Sequence, residues 1–141
     1  MLTTIEKVLF LQDVDIFKNT QTEDLAHIAT ITEEIELKQD HTIFKQGEIS
    51  DSMYLVIEGE VKLERDGKVI LIAKPKKDFG TWALFDDEPR VFTATTVKDS
   101  QLLKIEKDDF YDLLADHVQI TQGILKTMVK RLHSLRARVG L

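Results

Sequence analysis

The chain has 141 residues, 43% of them hydrophobic and 31% charged, with a net charge of −6 and no cysteine. That length suits a single domain with a proper core. No apolar run approaches the roughly 18 residues of a membrane span, the N-terminus lacks a signal-peptide profile, and the absence of cysteine excludes disulfides, thiolate zinc sites and cysteine nucleophiles, a composition compatible with the cytoplasm.

In chain order, Ile5, Val8, Leu9 and Phe10 suggest a short amphipathic helix, and Thr22 is placed to N-cap a second one that buries Leu25, Ile28, Ala29 and Ile31. From Glu33 to Lys104 the pattern changes to period two, with β-branched residues and turn signals. Met53, Leu55 and Ile57 alternate with Tyr54, Val56 and Glu58, and Arg65-Asp66-Gly67-Lys68 carries the Asp-Gly pair of a type I′ hairpin. Residues 91–97 and 101–105 supply closing strands. Several short strands of this kind predict an α+β protein, a jelly-roll-like β-barrel flanked by N-terminal and C-terminal helices.

From Lys107 the chain reads as helix, with Asp108 and Asp109 in its first turn. A broad apolar face runs from Phe110, Leu113 and Leu114 through Val118, Ile120, Ile124, Leu125, Met128, Leu132 and Leu135. Gly123 costs this helix about 1 kcal/mol relative to alanine and predicts a close crossing in preference to a hinge. The last acid is Asp116, and Lys126, Lys130, Arg131, Arg136 and Arg138 follow it, so residues 1–125 carry −11 and the tail +5. An acidic body argues against general nucleic-acid binding. The basic tail complements a helix dipole, or else it meets an acidic partner or a membrane surface.

Phe-Gly-Thr-Trp-Ala-Leu-Phe-Asp-Asp-Glu-Pro-Arg at 79–90 is the stretch most suited to chemistry. Gly80 lets main-chain N–H groups approach a ligand, Trp82 to Phe85 can form one apolar helical turn whose first N–H groups favour negative charge, and Arg90 can bring a planar fork that matches phosphate oxygens. By spacing alone the same letters also suit a plain loop between two strands. The segment resembles the phosphate-binding cassette of the cyclic nucleotide-binding domain family, which reads Phe-Gly-Glu, an apolar residue, Ala-Leu, a variable stretch, then Pro-Arg, any residue, Ala. Phe79, Gly80, Ala83, Leu84, Pro89 and Arg90 match that pattern. Val14-Asp-Ile-Phe17 with Asp24-Leu25 resembles the family's helical entry. Ile43-Phe44, Gly47, Asp51, Tyr54-Leu55-Val56 and Gly59-Glu60-Val61 resemble its first strands and turns, with Asp40 and Lys77 standing where the family tends to place glycine.

The resemblance implies one cyclic nucleotide-binding-like domain over residues 1–141, with helices in 1–31, a barrel in 33–105 carrying the cassette at 79–92, and helices in 107–138. It implies a ligand site formed by Gly80, Thr81, Trp82, Ala83, Arg90, Val91 and Phe92. Thr81 replaces the glutamate that accepts a hydrogen bond from the ribose 2′-hydroxyl, and Phe92 replaces a small alanine beside the phosphate. Val91 occupies a place where cGMP binders tend to carry a hydroxyl, which leans toward cAMP. Asp86, Asp87 and Glu88 are an acidic loop beside Arg90 whose field opposes a phosphate, and Lys76 and Lys77 offset it.

The implied function is a regulatory sensor that binds a cyclic nucleotide or a related small anion and passes the event to its C-terminal helix, with no cofactor and no metal. A degenerate non-binding member acting as an interaction or dimerisation module, by itself or as part of a larger protein, is the alternative. His27, His41, His117 and His133 are scattered, and no nucleophile elbow or Walker loop is present, so no enzyme is expected. Expected partners are a homodimer mate or a regulated domain at the C-terminal helix. With no helix-turn-helix before Leu141, nucleic acid is not expected among them.

Overall fold

The computed structural model describes residues 1–140. In order they form α1 (Thr4–Leu11), a 3₁₀ turn (Asp15–Phe17), α2 (Thr22–Ala29), β1 (Thr32–Leu37), β2 (Thr42–Phe44), β3 (Ser52–Glu58), β4 (Val61–Arg65), β5 (Lys68–Ala73) and β6 (Asp78–Phe79). A second 3₁₀ turn (Thr81–Leu84), β7 (Thr93–Thr96), β8 (Ser100–Glu106), α3 (Lys107–Asp116) and α4 (Val118–Arg138) complete the chain. Packing resolves two compact units: residues 31–110, which hold the strands, and residues 2–30 with those from 111 onward, which hold the helices.

The strand unit consists of two four-stranded sheets in the orders β1-β8-β3-β6 and β2-β7-β4-β5, with antiparallel pairing throughout. This is the predicted α+β, jelly-roll-like arrangement. The β4–β5 hairpin turns on Asp66 (φ 54°) and Gly67 (φ 81°), the two positive φ values that a type I′ turn needs. Asp40 also takes positive φ, at 63°, as a residue in a turn-glycine place must. In β3, Tyr54 and Val56 enter a core cluster with Phe44, Val61, Leu63, Phe79 and Leu102. The other face of β3 is buried as well, from Met53 to Ile57. β3 lies between β8 and β6, and with both of its faces buried its composition reads as a continuous apolar run.

Helix ends depart from expectation in small ways. Thr3 and Glu6 form a reciprocal capping box at the start of α1. That helix buries Val8 and Leu11, leaving Ile5 and Leu9 exposed. Gln21, not Thr22, is the N-cap of α2, and Thr22 is its first helical residue. The C-terminal stretch breaks at His117 into α3 and α4. Its apolar residues then divide between faces: Ile120 and Ile124 are buried, while Val118, Leu125, Leu132 and Leu135 face solvent.

Within the helical unit, α4 is tied to the segment before α2. Asn19 Nδ2 donates to Thr127 Oγ1 at 2.9 Å, Lys130 Nζ donates to Asn19 Oδ1 at 2.9 Å, and Arg131 pairs with Asp15 at 2.9 Å. Gln119 Nε2 donates to the buried Asp24 carboxylate at 3.0 Å, and the rings of His27 and His117 stack with centroids 4.0 Å apart. Gly123 permits this approach, because a Cβ there would lie 2.8 Å from the Asn19 carbonyl oxygen. The crossing reading of Gly123 therefore holds. Gly123→Ala will destabilise the protein by about 1–3 kcal/mol in urea unfolding, despite the gain of about 1 kcal/mol in helix propensity that alanine brings. An unchanged or raised midpoint would remove the crossing argument.

Candidate functional site

Arg90 is held by its main chain before its side chain is considered. Its N–H donates to the Glu48 carbonyl and its own carbonyl accepts from Gly47 N–H, both at 2.8 Å. Gly47 has φ 89°, a left-handed conformation that suits glycine in this turn. The anchoring turns the side chain inward, where the residue is 5% exposed. Its guanidinium carbon sits 3.9 Å from the centroid of the Phe44 ring, a cation–π contact worth up to about 2 kcal/mol when desolvated. A β-bulge in β2 between Thr42 and Phe44 re-aims this strand, so that both Ile43 and Phe44 reach the core cluster.

Gly80 closes the other side. It has φ 69° and N-caps the 3₁₀ turn Thr81–Leu84, and a Cβ on it would fall 2.7 Å from Arg90 Nη1, 3.3 Å from the Ser52 carbonyl and 3.6 Å from the Phe44 ring. The guanidinium thus occupies a slot that only a glycine at position 80 leaves open. Nη2 donates to Ser52 Oγ at 3.1 Å and meets Asp51 Oδ1 at 3.5 Å, and Asp51 is itself 67% exposed. Ser52 Oγ lies 3.0 Å from Asp51 Oδ1 and 3.3 Å from the Tyr54 hydroxyl. Nε and Nη1 are buried and find no hydrogen-bond partner among the described residues. Burial pulls the Arg90 pKa below the usual arginine value, opposed in order by Tyr54, Asp51 and Glu48.

The remaining expected site residues fall into two groups. Ala83 is buried behind the slot, and Ala83 N–H is bonded to the Gly80 carbonyl at 3.1 Å. In a 3₁₀ turn that leaves the N–H groups of Thr81 and Trp82 without an intrahelical partner. The Thr81 hydroxyl donates a short hydrogen bond to the Asp78 carboxylate. Phe92 is half-buried and packs against the core cluster of Phe44, Tyr54 and Phe79, whose ring centroids are 5.3–6.1 Å apart. The Trp82 and Val91 side chains are exposed. Arg90 and Gly80 therefore meet directly, Phe44 and Ser52 join them, and Asp78 holds the neighbouring Thr81. Sequence reasoning gave those three no role. Alternation along β3 from Tyr54 to Ser52 was the one signal that could have placed Ser52 beside the arginine.

The acidic loop is partly neutralised on its own side. Lys107 Nζ donates to the Asp86 carbonyl at 2.7 Å and to Asp87 Oδ1 at 2.8 Å. That hydrogen bond, and then the lysine's charge, lower the Asp87 pKa below the usual aspartate value. Next to this contact lies a cavity of about 460 Å³ bounded by Gly47, Ile49, Asp51, Asp87, Pro89 and Lys107 among others, and none of the seven expected site residues lines it. The Phe85 ring, at the end of the 3₁₀ turn, meets Phe110 of α3 edge-on with centroids 5.9 Å apart. Among the described residues no group of histidine and carboxylate side chains is arranged to hold a metal ion, and no helix is long and apolar enough to cross a membrane.

The chain is similar to known proteins. A family model described as "Cyclic nucleotide-binding domain" matches residues 34–117. A CRP-like cAMP-activated global transcriptional regulator of Mycobacterium tuberculosis is 29% identical over 122 residues, covering 83% of this chain and 54% of that protein. The cyclic AMP receptor protein of Thermus thermophilus is 27% identical over 108 residues, covering 73% and 50%. The chain thus spans about half the length of these relatives. Among solved structures, the N-terminal domain of a transcriptional regulator from Streptomyces coelicolor superposes with a TM-score of 0.84 at 27% identity, covering 91% of this chain and 95% of that one.

Proposed function

The chain belongs to the cyclic nucleotide-binding domain family, and on that premise we propose that it is a non-enzymatic, cytoplasmic sensor domain whose ligand is cAMP or a related small phosphate. The observation that carries this reading is the Arg90 guanidinium, buried in a slot against Gly80 with Nε and Nη1 unpartnered among the described residues. A buried donor left unsatisfied costs about 1–3 kcal/mol, and more when charged, so an oxyanion that reaches either nitrogen recovers energy the fold has already given up. The N–H groups of Thr81 and Trp82 supply the second side of such a site.

In the proposed mechanism an anion at the guanidinium draws on both the arginine and the 3₁₀ turn. Movement of that turn is felt by Phe110 through Phe85, and α3 carries it along its own axis. The switch operates only to the extent that ligand prefers one arrangement over the other. The C-terminal helix hands the state to a second copy or to a regulated partner domain, and nucleic acid is not a direct partner of these residues.

A second reading is favoured by two specific observations. The Thr81 hydroxyl, at the place that would serve a nucleotide's ribose, is committed to Asp78, and Phe92, at the place beside its phosphate, packs on the core cluster. On this reading the protein is an interaction module that no longer binds a nucleotide. Calorimetric titration with cAMP and with cGMP, each repeated on Arg90→Ala, separates the two. Heat with cAMP that disappears in the variant is the expected result. Silence from both nucleotides up to about millimolar concentration, weaker than about 4 kcal/mol of binding, would leave the interaction module.

A further inference from the structure

We propose that Ser52 is a positioning residue for the anion site: its hydroxyl, oriented by Tyr54, pins one nitrogen of Arg90 and so fixes which guanidinium nitrogens a ligand meets. The inference rests on the sensor reading and adds to it a residue that acts through the arginine. Ser52 opens β3 and is fully buried, and Tyr54, two positions on, is 6% exposed. Alternation along the strand puts both side chains on one face, the face that carries Tyr54 and Val56 into the core cluster. A hydroxyl buried there is tolerated only when its hydrogen bonds are made.

Three groups surround Ser52 Oγ: Asp51 Oδ1 at 3.0 Å, Arg90 Nη2 at 3.1 Å and the Tyr54 hydroxyl at 3.3 Å. Their chemistry orders the protons. A guanidinium only donates and an ionised carboxylate only accepts, whereas a serine hydroxyl has one proton and two lone pairs. Ser52 Oγ therefore accepts from Nη2, gives its single proton to Asp51, and keeps its second lone pair for the Tyr54 hydroxyl to donate into. Every bonding capacity of the oxygen is used, which holds it in place and holds Nη2 with it. Nη2 belongs to both two-nitrogen edges of the planar guanidinium, so pinning it stops the group from turning in its slot. Nη1 then stays beside Gly80, where a Cβ would lie 2.7 Å from it, next to the turn whose N–H groups form the second side of the site. Without the Ser52 oxygen, Nη2 has among the described residues only Asp51, at 3.5 Å on a side chain that is mostly exposed. The guanidinium is then free to turn toward that carboxylate, and a cation paired in this way attracts a second anion less strongly.

The test uses the full chain, with cAMP and inorganic phosphate as probes. Ser52→Ala removes the oxygen, Ser52→Thr keeps it, and Tyr54→Phe removes only the second donor. Calorimetry is expected to show binding weakened at least about tenfold in Ser52→Ala, a smaller loss in Tyr54→Phe, and recovery to within about threefold of the parent in Ser52→Thr. The proton–nitrogen NMR signal of Arg90 Nε–H, identified by its absence in Arg90→Met and read without ligand, reports the guanidinium itself. It is expected to move and broaden in Ser52→Ala and to return to its parent position in Ser52→Thr, a response that a general loss of stability does not give. Circular dichroism checks that each variant folds, and Tyr54→Phe repeats the comparison without touching position 52. Two results would overturn the proposal: Ser52→Ala that binds both probes as the parent does, or an Arg90 signal that Ser52→Ala leaves unmoved. If the parent binds neither probe the sensor reading fails, and the same Arg90 signal still shows whether Ser52 pins the guanidinium.

Discussion

Arg90→Met will leave the protein at least as stable as the parent and will abolish its response to phosphate ligands. Methionine nearly conserves the volume in the slot between Phe44 and Gly80, so the change removes charge without opening a large cavity. The sign follows from linkage. A base whose pKa is lowered in the folded state holds its proton less tightly there than in the unfolded chain, so charged Arg90 costs stability at every pH where the unfolded arginine is protonated. Nor does its removal orphan a neighbour, since Ser52 Oγ keeps Asp51 at 3.0 Å and Tyr54 at 3.3 Å. Replacing buried charge by well-packed apolar groups is neutral or stabilising by about 1–4 kcal/mol. Because the cation–π contact with Phe44 is lost as well, we expect a gain of about 0–2 kcal/mol. Chemical denaturation, run beside the nucleotide titration, reads both effects. A loss of more than about 2 kcal/mol would mean that Arg90 is a structural residue and that its burial says nothing about a ligand.

The second large effect runs the other way. Thr81→Glu with Phe92→Ala, placed on an Asp78→Asn background, will tighten cyclic nucleotide binding by about ten- to a hundredfold, the equivalent of about 1.5–3 kcal/mol from one charge-assisted hydrogen bond. Asp78 enters because it now accepts the Thr81 hydroxyl. A glutamate at 81 has no proton to give, and two carboxylates side by side repel and raise each other's pKa. Thr81→Glu alone is therefore expected to gain less than the same change with Asp78→Asn. Trimming Phe92 costs less than the about 3–5 kcal/mol of a fully buried phenylalanine, since this ring is only half-buried. A folded variant with no gain in affinity would show that the obstruction lies deeper, in the Phe44, Tyr54 and Phe79 rings.

The surroundings of Arg90 bear on both the sensor and the interaction-module readings. The guanidinium is not locked by a carboxylate: Asp51 is a long contact at 3.5 Å and is mostly exposed, where solvent screens such a pair. Aromatic rings do crowd the interior, yet the Phe44 ring covers the face of the guanidinium and leaves Nε and Nη1 unpaired. An anion approaches an arginine along its edge, so the crowding of the face is compatible with binding.

What could be read from the letters was whatever depends on near neighbours in the chain. The Asp-Gly hairpin follows from backbone sterics, and its two positive φ values are where the sequence placed them. What depended on distant residues was invisible. Phe44 lies 46 positions from the arginine it covers, Ser52 lies 38 away, and Phe110 lies 25 from Phe85. These juxtapositions arise only when segments far apart in the chain converge. The division of the last helices' apolar residues between a buried and an exposed side was hidden for the same reason. Hydrophobic periodicity reports that a face is apolar, but only the packing of the whole chain decides which face it covers and which is left for another molecule.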